Sequence, residues 1–432
     1  MADRFIDAGL HRTRERGHEI VGGDGVWLRR ADGSELLDAS NTGGPLGHAH
    51  PAMVEAVTVA AGAPVVNEGK PWGPREEAAR ELVEVAFGDE EWVGGVRFGL
   101  SGSEVNDIAL SLAQAATGRS SLVARERAYH GLVGLSRDVT VQPQWHGGLS
   151  ELGGAARKPN AGSPVRVVAG PDGGVWRRDG YPAPSPWSVR ELEEACAGAA
   201  AVIVDYTQGG RYYEAAYQDA VAEASRRAGA WWIADEVVTG LGRSGHWMAF
   251  HGAESRPDLV TLGKPIAGGS AAAGAVVLSR RAVELLDSAK WQNYSTFRGH
   301  PVTIAAIRAH LRTVADEGLV ERAARGGERM RVALIELASR HRSVVRVAGE
   351  GLHWTVELAG VPWQRWVSTT EDRQLSDVVV AEAMRRGVAM STSDEPSSIF
   401  LAPPLIVTDE QLDRIVETLD AGLKLADEEI EG

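Results

Sequence analysis

Asp258-Leu-Val-Thr-Leu-Gly-Lys-Pro-Ile-Ala-Gly-Gly269 sets a short apolar run against a glycine, a lysine and a proline. Such a run, stopped by Gly263 and Pro265, reads as a buried strand ending at Leu262. Two stretches upstream have the same form. Ala230-Trp-Trp-Ile-Ala-Asp235 and Ala200-Ala-Val-Ile-Val-Asp205 each close an apolar run with a carboxylate. With Gly95 to Gly99, Ser121 to Ala124 and Gly274 to Leu278 they alternate with helical patterns at 103 to 117, 213 to 228 and 281 to 288. That alternation is the signature of an α/β sheet with crossover helices.

Lysine occurs only at 70, 158, 264, 290 and 424, and Lys264 alone lies in an apolar, glycine-flanked segment. An ammonium there either reaches water past the strand end or is desolvated. In the second case its pKa falls well below the reference of about 10.4 and it becomes a candidate amine nucleophile. In an open α/β sheet, ligands sit outside the carboxyl ends of the strands, so Asp205, Asp235 and Lys264 could face one crevice. A salt bridge between neighbouring strand ends is the simpler use of the same residues.

Leu100-Ser-Gly-Ser-Glu-Val-Asn-Asp107 follows a strand and opens a helix, with Val105, Ile108, Ala109, Leu112 and Ala116 at helical spacing. Ser101 and Glu104 form a capping box. Gly102 allows a tight turn, and the free N–H groups with the hydroxyls of Ser101 and Ser103 make a cup for a phosphate, unless the box is only a cap. Ala234-Asp-Glu-Val-Val-Thr-Gly-Leu-Gly-Arg-Ser-Gly245 adds two acids before a glycine-rich loop, and Ala128-Tyr-His-Gly131 adds an aromatic face. An amine, an anion cup, a stacking face and a carboxylate are what an aldehyde cofactor with a phosphate tail and a basic ring nitrogen needs. That cofactor is pyridoxal phosphate.

From these residues the sequence resembles the class III, or omega-type, aminotransferases of fold type I, with kinship to glutamate-semialdehyde aminomutases. The likeness runs from Leu37-Asp38 and Gly47-His-Ala-His-Pro51 through the motifs above to Thr296-Phe-Arg-Gly-His-Pro301 and Ala402-Pro-Pro-Leu405. It implies a Schiff base on Lys264, Asp235 paired with the pyridinium nitrogen, and Val237 and Tyr129 on opposite ring faces. It further implies the phosphate at Gly102 and Ser103, Thr296 reaching the neighbouring subunit's phosphate in a homodimer, and His130 and Asp205 beside the cofactor. The reaction implied moves an amino group from an amine or amino-acid donor to a carbonyl acceptor through pyridoxamine phosphate. An aminomutase or epimerase using the same lysine, or a non-catalytic module that kept the scaffold, are the other readings.

The chain departs from the family where many members carry Glu-Pro and it has Asp205-Tyr206, and where they carry Gln and it has Val238. Met390-Ser-Thr-Ser-Asp-Glu-Pro-Ser-Ser-Ile-Phe400 lacks the arginine that many relatives place on a substrate carboxylate. Bidentate recognition of that kind then falls to Arg298 or Arg243, Arg298 serving equally well as an interface ion pair. Trp72, Trp145, Trp176 and Trp187 lie in expected loops, lining a substrate site or packing.

Length and composition bound the rest. At 432 residues two domains are expected: a large cofactor-binding α/β domain over 46–295 with a mostly parallel sheet, and a smaller α+β domain over 296–432 joined by the N-terminal segment 1–45. The latter is expected to hold a long helix over 302 to 340, strands at Val344 to Val347 and Leu352 to Leu358, and helices near 373 to 386 and 408 to 425. Lys158 to Pro186 reads as a long loop. A formal net charge of −14 argues against nucleic acid. The single Cys196, on an Ala-rich helix, fits a reducing compartment and a packed side chain. Met1 to Arg16 has no apolar run of signal-peptide length, and no later stretch approaches a membrane span. A cytoplasmic protein is expected. His48 and His50 flank one alanine, so no metal site is expected.

Overall fold

The computed structural model describes residues 19–88, 90–146, 163–366, 374–393 and 395–431. Its strands are β1 (Ile20–Asp24), β2 (Trp27–Arg30), β3 (Glu35–Asp38), β4 (Val93–Gly99), β5 (Leu122–Arg125), β6 (Val165–Val168), β7 (Gly174–Arg177), β8 (Ala201–Asp205), β9 (Trp231–Asp235), β10 (Leu259–Leu262), β11 (Gly274–Ser279), β12 (Val344–Glu350), β13 (His353–Leu358), β14 (Val388–Ala389) and β15 (Ser398–Leu401). Its helices are α1 (Pro51–Ala60), α2 (Gly73–Ala86), α3 (Gly102–Thr117), α4 (Gly134–Asp138), α5 (Val189–Cys196), α6 (Ala215–Ala228), α7 (Arg280–Ser288), α8 (Pro301–Asp316), α9 (Leu319–Arg340), α10 (Leu375–Arg385) and α11 (Asp409–Glu431).

The central sheet runs β4-β11-β10-β9-β8-β5-β6. Strands β10, β9, β8, β5 and β6 are mutually parallel, and only β11 runs against its neighbours. Every residue of β8, β9 and β10 is buried, as strands covered by helices on both faces must be, so they read as unbroken apolar runs. In the parallel register Asp205 lies opposite Asp235, and Asp235 opposite Thr261. The strand ends therefore bring both acids and the Gly263-Lys264 turn to one edge of the sheet.

The six strands read from the sequence in this region are all present, and so are the helices at 103 to 117, 213 to 228 and 281 to 288, with ends shifted by up to two residues. Two readings are corrected. The stretch 302 to 340 is two helices, because Gly318 between α8 and α9 adopts φ +60 and turns the chain. The expected loop from Lys158 to Pro186 contains β6 and β7. Its first residues, to Gly162, lie outside the described part, as do Met1 to Arg16 and the first residue of the helix read at 373 to 386. Unforeseen too is a four-stranded sheet β1-β2-β3-β14, in which β14 of the C-terminal region pairs parallel with β3.

An antiparallel sheet β15-β13-β12-β7 completes the molecule. Its edge strand β7 comes from within residues 46–295, so the C-terminal sheet is tied to the central one through the chain as well as by packing. Cys196 is buried, and burial pushes its thiol up to about 11, which fits a packed side chain. Among the described residues no helix is long and apolar enough to cross a membrane.

Candidate active site

A cleft of ≈ 170 Å³ opens at the carboxyl ends of β8, β9 and β10. It is lined by Ser101, Gly102 and Ser103 at the start of α3, by Tyr129, His130 and Gly131 after β5, and by Asp205, Asp235, Val237 and Lys264. The residues singled out for phosphate, ring and amine thus converge from five separate stretches of chain.

The cup is built as helix-start physics requires. Ser101 accepts the N–H of Glu104 at 3.2 Å, while the Glu104 carboxylate accepts the N–H of Leu100 at 2.5 Å, one residue short of the reciprocal bond a capping box would make. The N–H groups of Gly102 and Ser103 have no acceptor within the helix and lie at the positive end of its dipole. Gly102 is a steric necessity: a Cβ there would stand 2.6 Å from Val237 Cγ1. So is Gly131, at φ +123, where a Cβ would meet Ser103 Oγ at 2.3 Å.

Asp235 is held by three donors. Its Oδ2 accepts from Asn106 Nδ2 at 2.7 Å and from His130 Nδ1 at 2.7 Å, and its Oδ1 accepts the N–H of Val237 at 3.0 Å. Asn106 is held in turn. Its amide also donates to His130 O at 2.8 Å and accepts from Thr261 Oγ1 at 2.6 Å, which fixes which end of the amide points at Asp235. The carboxylate at Nδ1 places the His130 proton there. His130 Nε2 is buried without a hydrogen-bond partner, 3.7 Å from Asp205 Oδ2, which is likewise unpartnered.

Asp205 Oδ1, by contrast, is saturated: it forms an ion pair with Arg125 and accepts the N–H of Gln208 at 3.0 Å. Arg125 is fully buried and spends further donors on the carbonyls of Asp205, Glu126 and Gln208, holding β5 to the turn after β8.

Lys264 has φ +24, a conformation that L-residues seldom adopt, and opens a single 3₁₀ turn before Pro265. Its side chain keeps accessible surface because it projects into the cleft, yet the cleft lies deep in the protein. Desolvation holds its ammonium below the ordinary lysine range, against the opposing pull of Asp235 and then Asp205. Nζ stands 6.0 Å from the centre of the Tyr129 ring. Burial and the nearby Asp235 raise the Tyr129 phenol, which stays protonated at neutral pH.

The structure does not bring the expected substrate arginines to this cleft. Arg298 is buried in a separate crevice, donating to Glu104 at 3.0 Å and to Asn293 Oδ1 at 2.6 Å. The Glu104 that caps the start of α3 on one side therefore anchors Arg298 on the other. Arg243 spends its donors on the carbonyls of Leu352, Pro403 and Asn41, binding the glycine-rich loop to the C-terminal region. Trp72, half-buried at the start of α2, lies 5.8 Å from the Arg75 guanidinium, and Thr296 is exposed; neither lines the cleft of a single chain. Asn106, Arg125, Thr207 and Gln208 were not foreseen. Asn106 carried a weak signal, a polar residue at helical spacing from Gly102, Ala109 and Ala113.

The fold and this cleft together define a pyridoxal-phosphate enzyme of fold type I. Residues 12–423 match the model of the class III aminotransferases, and the chain belongs to that family. It is 31% identical over 410 residues to an acetylornithine aminotransferase of Mycobacterium leprae, covering 93% of this chain and 89% of the relative. With an alanine–glyoxylate aminotransferase 2-like protein of Drosophila melanogaster it shares 30% identity over 415 residues, 92% of this chain and 81% of the relative. An S-selective transaminase from Bacillus megaterium superposes with a TM-score of 0.86 at 26% identity, over 97% of this chain and 96% of that one. The chain is accordingly a pyridoxal-phosphate-dependent aminotransferase, and the non-catalytic reading is set aside.

Proposed function

We propose that this aminotransferase takes nitrogen from a primary amine or amino-acid donor, gives it to a carbonyl acceptor, and does so with Lys264 and Asp235 as its catalytic pair. Bound pyridoxal phosphate supplies an aldehyde that takes up the donor nitrogen and a ring that accepts the electrons left when a proton leaves the donor carbon. Everything else is asked of the chain. Lys264 anchors the cofactor and, as a free amine whose proton affinity desolvation has lowered, takes the proton from one carbon and returns it to another. Asp235, oriented by three donors, holds the proton of the ring nitrogen. Gly102 and Ser103, with Ser101, bind the phosphate at the start of α3, and Val237 and Tyr129 flank the ring. His130 and Asp205, each with an unsatisfied atom, complete the polar side of the cleft.

The observation that carries this reading is that Asp235 ends β9, Lys264 follows the adjacent parallel β10, and both line one cleft. The exposed Thr296 is assigned to the neighbouring subunit's phosphate in a homodimer, alongside the exposed Tyr294 and Phe297, which an interface would cover. The single cysteine favours the cytoplasm.

Stoichiometry tests the reaction. Holoenzyme mixed with an amine donor and no acceptor yields pyridoxamine phosphate and one released carbonyl product per site. Retention of all nitrogen within the substrate molecule would reassign the chain as an aminomutase, and recovery of an inverted donor as an epimerase.

A further inference from the structure

Glu395 lies in the Met390 to Phe400 stretch, far along the chain from the cleft, yet it is buried against it. Its Oε1 accepts two hydrogen bonds, from Gln142 Nε2 at 3.0 Å and from the N–H of Gly209 at 3.0 Å. Each leads to a wall of the cleft. Gln142 Oε1 accepts the indole N–H of Trp145 at 2.9 Å and the amide of Gln144 at 3.2 Å. The Trp145 ring rests against Tyr129, centroids 5.0 Å apart and planes inclined by 52°, and Tyr129 lines the cleft opposite Lys264. Gly209 follows Gln208, which lines the cleft on the Asp205 side.

We infer that Glu395 is a positioning residue: one carboxylate oxygen pins the aromatic wall and the turn after β8 together, and so sets the width of the cleft between Tyr129 and Gln208. The inference rests on the reading of this cleft as the aminotransferase site. Gln142 explains the arrangement. Its amide oxygen already serves Trp145 and Gln144, so its nitrogen must donate, and a buried acceptor is the partner that locks that orientation. A change in where the C-terminal strands sit would pass through Glu395 to Tyr129 without touching the cofactor's phosphate cup.

The test uses holoenzyme and two substitutions of Glu395, each with a matching Trp145→Phe protein. Burial pushes the Glu395 carboxyl up to about 7, so the neutral amide of Glu395→Gln is a close stand-in and its oxygen can accept both bonds, whereas Glu395→Leu can accept neither. The emission of Trp145 is isolated by subtracting the matching Trp145→Phe protein, and its quenching by acrylamide is measured with the dissociation constant for pyridoxal phosphate. Glu395→Leu is expected to raise Trp145 quenching about threefold or more, the consequence of losing two buried hydrogen bonds. Its cofactor affinity is expected to stay within about twofold of wild type, and Glu395→Gln to match wild type in both. Unchanged quenching in Glu395→Leu overturns the inference, and so does equal loss of cofactor from both variants. If Glu395→Leu does not fold, Gln142→Leu, which frees Trp145 while keeping Glu395, must show the same quenching; if it does not, the inference fails. None of these readouts requires turnover, so failure of the aminotransferase reading would show separately, as a holoenzyme inert toward every donor.

Discussion

Asn106→Ala removes the side chain that joins β9 and β10 at the edge lining the cleft. The amide is almost completely buried and makes three short hydrogen bonds, to Asp235 Oδ2, His130 O and Thr261 Oγ1. The bond to the Asp235 carboxylate is charge-assisted and contributes about 1.5–3 kcal/mol, and the two neutral ones about 0.5–1.5 kcal/mol each. The cofactor-free protein should therefore lose about 2.5–6 kcal/mol of unfolding free energy. Asp235 keeps His130 and the Val237 N–H as donors, so it should remain in place but less firmly held, and cofactor affinity should weaken about tenfold. Urea unfolding measures the first quantity, and absorption titration with pyridoxal phosphate the second. Thr261→Val is the internal control: it loses only the outer bond and should cost about 1 kcal/mol with little change in affinity. Should Asn106→Ala shift the unfolding free energy by less than about 1 kcal/mol and leave affinity unchanged, the bond network would not be what holds Asp235.

Two further predictions concern the fold. Gly318→Ala, where a Cβ meets nothing nearer than Glu321 Oε2 at 3.7 Å, should cost about 1 kcal/mol through its left-handed backbone alone, read as a lower urea midpoint with unchanged cofactor affinity. Burial pushes the Glu236 carboxyl up to about 7, against the opposing bonds from Thr239 and the Phe250 N–H. Folded protein thus keeps a proton that the unfolded chain has already released, and this group's penalty grows as pH rises from the ordinary 4.5 to about 7, then levels off. Glu236→Gln should flatten the decline of the urea midpoint across that window; an unaltered slope would remove Glu236 as its cause.

The sheet edge that lines the cleft was legible because its residues sit where short-range signals are strong. Asp205, Asp235 and Lys264 each end an unbroken apolar run, and parallel strands place such ends together whatever lies between them. The cup at Ser101 to Ser103 was legible for the same reason, a helix start being written in a few neighbouring residues. What escaped is set by partners distant in sequence. Asn106 looks like any polar helix residue until α3 packs over the ends of β9 and β10, and Arg125 looks like a strand-end cation until Asp205 meets it across the sheet. β7 and β14 are short, and each is stabilised by a strand more than 150 residues away in one case and 350 in the other, so neither carries its own pattern. Gly318 sits inside a helical periodicity that continues past it, and only its φ reveals the turn. Arg298 and Arg243 were expected at a substrate carboxylate and are not there, because a lone sequence gives no means of telling a guanidinium aimed at substrate from one committed to Glu104 or to buried carbonyls.

The central claim is a covalent assignment, and reductive trapping addresses it directly. Holoenzyme treated with borohydride, digested and mapped by mass spectrometry should carry the reduced cofactor on the peptide containing Lys264, with no label in Lys264→Ala. Label on another lysine, or equal labelling of the Lys264→Ala protein, would contradict the account.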